Sequence, residues 1–246
     1  MSGRVGSITT EIITDGLVFN MDAANRACYP KTDTIATDTI SSINGTLDGT
    51  TFNSSISGGT FNFDAVDDYI SCGNSLPNSF TQLTVGVWAS FSQTMLDNTS
   101  QYASVISKLG GSVNTDVFGI FKVNKRGDDS SNCVYFQANS GGSYIQTPFR
   151  ISEGAFKMEN AGVFHYLTGV YNGTTVEMYV NGVSYGTGAG TGTLNTNSNT
   201  LRIGYSTNYS RPFGGDIGNI HMYNRALSST EVLHNYNALK GRFGLS

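Results

Sequence analysis

From Leu17 to Arg225 the chain runs through short stretches in which apolar and polar residues alternate with period two, the spacing that puts every second side chain on one face of a strand. LVFNMDA (Leu17 to Ala23), TFNFD (Thr60 to Asp64), YISCG (Tyr69 to Gly73), LTVGVWASF (Leu83 to Phe91), ASVISKL (Ala103 to Leu109), VFGIFKVN (Val117 to Asn124) and NCVYFQAN (Asn132 to Asn139) read this way. So do HYLTGVYN (His165 to Asn172), TVEMYVNG (Thr175 to Gly182), TLRIGYS (Thr200 to Ser206) and IGNIHMYNR (Ile217 to Arg225). Between them, YNGTT, YVNGV, KRGDDSSN and NSGGS supply Gly and Asn where the backbone must take positive φ. The pattern predicts hairpins, and therefore antiparallel sheets.

One segment switches to helical period. In SSTEVLHNYNALKGRFG, Ser228 and Glu231 have capping-box spacing, Val232, Leu233, Tyr236 and Leu239 form an apolar stripe, and Gly241 marks a stop. This helix is expected to dock onto a β-sandwich. Nothing in the middle reads as a linker or as a repeat of 20 to 50 residues, so residues 15–246 are expected to form one domain. Residues 1–14 are Ser/Thr/Ile-rich and weakly patterned, and are expected to form an edge strand or an attachment arm.

Composition sharpens this picture. With 246 residues, 30 glycines and 13% charged residues against a usual share of about 25%, the surface is built from Ser, Thr, Asn and Gly. A formal charge of −4 without a Lys/Arg cluster speaks against a nucleic-acid-binding face. The most apolar stretch, Leu83 to Phe91, is far too short to span a membrane. The opening residues carry Glu11 and Asp15 and no apolar run, so no secretory signal is expected. Cys28, Cys72 and Cys133 are odd in number and lack CxxC spacing, so they are expected to be reduced and partly buried thiols.

FDAVDDYISCG, FTQLTVGVWASF, FHYLTGVYNGTTVEMYVNGVSYGT and TLRIGYSTNYSRPFGGDIGNIHMYNRALSSTEV, in this order, resemble the signature segments of the laminin-G-like, concanavalin A-like jelly-roll family. The resemblance runs from about Leu17 to the last helix and implies an all-β fold, two antiparallel sheets packed face to face with one short C-terminal helix. The chain departs from the family where Phe164 replaces a frequent Trp, leaving Trp88 as its only tryptophan. The opening GRVGSITTEIITDGLVFNMDAANRACYP and the closing MYNRALSSTEVLHNYNALKGRFG also resemble laminin-G-like proteins of marine tailed bacteriophages. That second resemblance implies a virion-surface protein, made in the host cytoplasm. It would be held to other virion proteins by the N-terminal arm, form a homo-oligomer such as a trimer, and contact host glycans.

The chemistry is sparse. Asp64, Asp67 and Asp68 crowd into five positions, and carboxylates this close raise each other's pKa or recruit a cation. As a turn between two strands with Phe63 and Ile70 inward, the segment would use Asp67 and Asp68 to cap backbone N–H groups. The family resemblance implies instead a structural calcium ion at the rim, held by Asp64, Asp67 and Asp68, with Asp216 as a further ligand. No cofactor is otherwise required. Glu11, Glu153, Glu159, Glu177 and Glu231 are scattered, without the ExDxxE pattern of a glycosidase strand. His165, His221 and His234 have no metal-binding spacing, and no GxSxG elbow occurs, so no enzymatic activity is expected. Sugar binding needs flat aromatic faces and planar hydrogen-bonding groups, and Tyr205, Asn208, Tyr209 and Arg211 supply both within one loop. A free carbohydrate-binding module is the alternative to the virion role.

Overall fold

A computed structural model describes residues 11–76, 79–98, 102–123, 129, 131–206 and 208–246. The strands are β1 (Leu17–Asp22), β2 (Ile35–Thr37), β3 (Asn44–Asp48), β4 (Thr51–Asn53), β5 (Thr60–Asp64), β6 (Tyr69–Ser71), β7 (Leu83–Phe91), β8 (Ala103–Lys108) and β9 (Phe118–Lys122). They continue with β10 (Cys133–Ser140), β11 (Ser143–Gln146), β12 (Phe156–Lys157), β13 (Phe164–Tyr171), β14 (Thr175–Val180), β15 (Val183–Ala189), β16 (Arg202–Ile203) and β17 (Gly214–Tyr223). Helices α1 (Gln93–Asp97) and α2 (Ser229–Leu239) and a 3₁₀ turn at Ile151–Glu153 complete the described elements.

Two antiparallel sheets result. The first has the order β15-β14-β13-β7-β17-β5-β4, with β1 lying end to end with β5 along β17. The second has the order β11-β10-β9-β8-β16-β6-β3-β2, with β12 beside the start of β10. Sheet neighbours come from distant parts of the chain: β7 sits between β13 and β17. The hairpin turns expected at YVNGV and NSGGS form, whereas residues 125–128 and 130 of the expected KRGDDSSN turn lie outside the described residues. Asn181 and Gly182 take φ of 53° and 80° between β14 and β15, and Gly141 and Gly142 take 56° and 76° between β10 and β11.

Alternation decides what fills the sandwich. Leu83, Val85, Val87, Ala89 and Phe91 of β7 face inward and meet Val134, Phe136 and Ala138 of β10, together with Phe63 and Ile70 as expected. Both central strands are nevertheless buried on their other face as well. For β7 the cover is α2 and the segment after it. Trp88 stacks on Phe243 with ring centroids 4.3 Å apart and on Tyr236 at 5.8 Å. Arg225 grips Glu231 at 2.6 Å and Arg242 grips Asp22 at 2.6 Å, clasping the helix at both ends. Cys28, Cys72 and Cys133 are buried free thiols.

The helix itself follows its capping box, Ser228 and Glu231 bonding each other's backbone N–H groups. Its buried face differs from the expected stripe: Leu233 is 43% exposed, while Asn235 is fully buried. Asn235 is satisfied there because its Nδ2 donates to the Tyr223 hydroxyl at 3.0 Å and its Oδ1 accepts the Ile13 N–H at 2.8 Å. The turn beyond α2 uses Gly244, at φ 76°, and Gly241 does not adopt positive φ. Helix α1 was not expected. It is a single turn capped by Ser92, whose Oγ accepts the Met95 N–H, and the burial of Met95 and Leu96 holds it in place.

Residues 11–14 of the expected arm lie on the body, with the Glu11 carbonyl bonded to His234 Nε2 at 2.9 Å and the Ile13 carbonyl accepting the Tyr223 hydroxyl. Residues 1–10 of that arm lie outside the described residues.

Candidate carbohydrate-binding face

The second sheet turns one face to the core and the other outward. Along β10 the outward residues are Tyr135, Gln137 and Asn139. In β8 a bulge between Ser104 and Ile106 puts Val105 and Ile106 both into the core, so that Ser104 and Ser107 both point outward and hydrogen-bond at 2.8 Å. Residues 204–206 and 208–213, between β16 and β17, fold over this face, the Arg211 carbonyl accepting the Ser104 N–H at 3.2 Å. Two depressions of about 220 Å³ each lie along it.

One depression is lined by Tyr102, Asp116, Tyr135, Gln137, Tyr144, Gln146, Tyr209 and Arg211. Asp116 organises it: the buried carboxylate accepts the N–H groups of Gly110 and Gly111 at 2.8 and 3.0 Å and the Tyr209 hydroxyl at 2.8 Å. Burial, with Tyr144 and Asp116 beside it, raises the Tyr209 pKa, so the phenol stays protonated. The Arg211 guanidinium sits 4.6 to 5.2 Å from the ring centres of Tyr209, Tyr102 and Phe121, a cation held among π faces. Gln146 donates to Gln137 at 2.7 Å, and Gln137 donates to Asn139 at 2.9 Å, which fixes the amide planes. Tyr144, 47% exposed, offers an open ring face.

The second depression is lined by Ser107, Leu109, Ser198, Asn199, Thr200, Arg202, Tyr205, Ser206 and Asn208. Asn199 and Asn208 both donate to the Leu109 carbonyl, at 2.8 and 2.6 Å, which ties the loops on either side to the end of β8.

A sequence profile described as "Concanavalin A-like lectin/glucanases superfamily" matches residues 64–233. The chain belongs to this superfamily. No curated protein matches the sequence. Solved structures with the superfamily fold include domain 4 of AbnA, an extracellular arabinanase from Geobacillus stearothermophilus in complex with arabinotriose. It is 16% identical with a TM-score of 0.63, and the match covers 89% of this chain and 98% of that one. Trypanosoma rangeli sialidase in complex with sialic acid is 12% identical with a TM-score of 0.65, covering 94% of this chain and 34% of its own. The binding domain of Paraclostridial Mosquitocidal Protein 1 is 14% identical with a TM-score of 0.64, covering 91% and 52%. The chain thus spans about a third of the sialidase and half of the toxin domain. At these identities the likeness is one of fold.

Within this superfamily fold, the four residues expected to bind sugar fall on one loop but divide between the depressions: Tyr209 and Arg211 line the first, Tyr205 and Asn208 the second. Sequence reasoning missed Asp116, Tyr135, Gln137, Gln146 and Arg202. A signal existed in NCVYFQAN, whose outward positions are Tyr, Gln and Asn, residues that an open sheet face does not need. Asp116 gave none, since its partners are up to 93 residues away.

Asp64, Asp67 and Asp68 lie together, and Asp216 lies apart from them. Carboxylate oxygens of Asp64, Asp67 and Asp68 lie within 4.8 Å of one another, the spread that oxygens about 2.4 Å from a single hard cation can have. Asp216 is occupied elsewhere, accepting the Thr60 hydroxyl at 2.8 Å. The turn is capped by Asp64 and Asp68 and not by Asp67: Asp64 Oδ1 accepts the Val66 N–H at 2.8 Å and Asp68 Oδ2 accepts the Asp64 N–H at 2.9 Å. Burial raises the Asp68 pKa, and the neighbouring carboxylates of Asp64, Asp67 and Asp48 add to it. The donor set suits calcium, and these three residues would hold it.

Of the histidines, His221 is fully buried rather than an ordinary sheet-face residue. It bonds the Tyr166 hydroxyl at 2.5 Å and the Asn219 side chain at 2.8 Å. Gly86 makes room for this pair: a Cβ there would lie 2.4 Å from His221 Nε2.

Proposed function

We propose that the protein is a non-enzymatic carbohydrate-binding module whose ligand lies on the outward face of the second sheet. The observation that carries this reading is the first depression, where the Tyr209 and Tyr102 rings flank the Arg211 guanidinium and Tyr144 and the fixed Gln146 and Gln137 amides line the same hollow. Aromatic faces take the apolar side of a sugar ring, and planar amides and guanidinium groups take its hydroxyls. A domain of the same fold, matched over 98% of its length, is in complex with arabinotriose, which supports the class of ligand. The lack of an enzymatic role is supported by the carboxylates. Asp116 is the sole acid lining the two depressions among the described residues, and glycoside hydrolysis by the usual route needs an opposed pair. A glycan array with wild type, Tyr209→Ala and Arg211→Ala tests the reading. Binding that both variants lose is expected, and no glycan above background would overturn it.

The second reading places this module on the surface of a tailed phage particle as a decoration, fibre or adhesin unit, assembled as a trimer and attached through the N-terminal segment. It is supported by the phage-like opening and closing segments and by one geometric fact. Residues Glu11 and Ile13 bond to α2, on the outer side of the first sheet, whereas the two depressions lie on the outer side of the second. Attachment on one side and presentation on the other suit a displayed module, and several copies would strengthen attachment by multivalency. Mass spectrometry of purified particles tests it: the chain is expected in them, and deletion of residues 2–10 is expected to remove it while leaving the fold intact. Absence from particles would overturn the reading.

A further inference from the structure

The second depression is lined by a charged side chain, Arg202, one of whose donor nitrogens has no acceptor among the described residues. Arg202 belongs to β16, which is held on both sides, by Ser71 of β6 and by Ser107 of β8, so its backbone is fixed. Its guanidinium lies 4.2 Å from the ring centre of Tyr69, and Tyr69 in turn stacks on Tyr205 at 6.3 Å. The group is thus pinned on a π face at the wall of the cavity. Its Nη1 is buried and has no hydrogen-bond partner among the described residues. A buried donor on a cation left without an acceptor is costly, and folded proteins rarely keep one without a use for it. The residues lining the depression carry hydroxyl and amide groups and no carboxylate. The Tyr69 hydroxyl on β6 is shared by Asp48 of the adjoining β3 and by the Arg202 guanidinium, which leaves Nη1 as the donor without a partner.

We propose that the depression at Arg202 is an anion subsite of the glycan-binding face, taking the carboxylate of an acidic sugar or its sulfate ester. The inference rests on the carbohydrate-binding reading and names the class of ligand. A charge-assisted hydrogen bond from the Arg202 guanidinium to an anionic oxygen holds the ligand there, and Thr200, Ser206 and Ser107 line the same depression. A neutral sugar hydroxyl fills the same position with a weaker bond. The adjoining depression, with Arg211 and its aromatic frame, would take the next residue of the same oligosaccharide.

The test is an array of matched neutral, carboxylated and sulfated oligosaccharides, followed by titration of the best pair. Uronate oligomers are compared with their methyl esters, and sulfated galactose oligomers with the unsulfated forms. At least tenfold tighter binding of an acidic form than of its neutral partner is expected, and the carboxylate and sulfate arms tell the two sources apart. Arg202→Gln is expected to abolish that preference while neutral binding persists, and Arg202→Lys to retain part of it. Raising salt from about 0.02 to about 0.5 M should shrink the preference in the wild type, a readout that does not depend on any variant folding. Equal affinity for acidic and neutral forms, or a preference that survives Arg202→Gln, overturns the anion subsite and leaves the carbohydrate reading standing. No binding to any oligosaccharide overturns both.

Discussion

Tyr209 donates its hydroxyl to the buried Asp116 carboxylate across 2.8 Å, joining the β16–β17 loop to the loop that leads into β9. The bond fixes the Tyr209 ring beside Arg211, whose guanidinium lies 4.6 Å from its centre. Tyr209→Phe keeps the ring and deletes the bond, and is expected to cost about 1–2 kcal/mol of stability while weakening glycan binding less than Tyr209→Ala does. Asp116→Ala also strands the N–H groups of Gly110 and Gly111 and is expected to cost about 3 kcal/mol. Urea unfolding of the three variants checks the order.

His221 makes the fold acid-sensitive. Burial pushes its pKa down to about 3, so the folded protein keeps it neutral while the unfolded chain takes up a proton near its ordinary value of 6.5. The unfolded state then binds more protons between these values, and stability must fall as pH falls, by about 1.4 kcal/mol per pH unit from this group. His221→Gln is expected to flatten that slope between pH 6 and pH 4 at about 20 °C, even if it lowers stability at neutral pH. Chemical unfolding across this range decides it, and an unchanged slope would remove His221 as the cause.

Lys122 acts in the same direction on the alkaline side. Its Nζ is buried and donates to the Met95 carbonyl at 2.7 Å, and burial pushes its pKa down to about 8. Between about 8 and the ordinary 10.5 the unfolded chain holds a proton that the fold has released, so this group adds stability as pH rises. Cys28, pushed up to about 11 by burial, opposes it above 9. The difference in stability between wild type and Lys122→Met is therefore expected to shift in favour of wild type from pH 7.5 to 9, by about 1 kcal/mol.

The aspartate turn separates capping from cation binding. Asp64 and Asp68 accept backbone N–H groups, and replacing either with Ala is expected to cost about 1 kcal/mol in EDTA. Burial first, and the neighbouring carboxylates second, disfavour the ionised Asp68, and calcium should raise the melting midpoint by compensating that charge. Asp67, whose carboxylate caps no backbone group in this turn, is the discriminating position. Asp67→Asn should leave the EDTA melt unchanged and remove the calcium shift. Equal wild-type midpoints in calcium and EDTA would reduce the cluster to a turn.

The sequence alone determined the strands whose alternation is strong, such as β5 and β7, the hairpin turns at Asn181–Gly182 and Gly141–Gly142, and the capping box of α2, because each depends on chemistry within a few residues. Local pattern also gathered Asp64, Asp67 and Asp68 and placed Tyr209 and Arg211 on a shared loop. It did not mark the short strands β2, β3, β4 and β12 or the single turn of α1, which are too brief to carry a period and exist because a neighbouring strand or a buried side chain holds them. Tertiary structure alone decided that Asn235 is buried and Leu233 is not, that Asp216 turns to Thr60, and that Asp116 and Arg202 stand beneath the loop. Those outcomes are set by which strand lies next to which. In a sandwich whose chain crosses repeatedly between two sheets, that order is fixed by long-range packing, which no stretch of adjacent residues encodes.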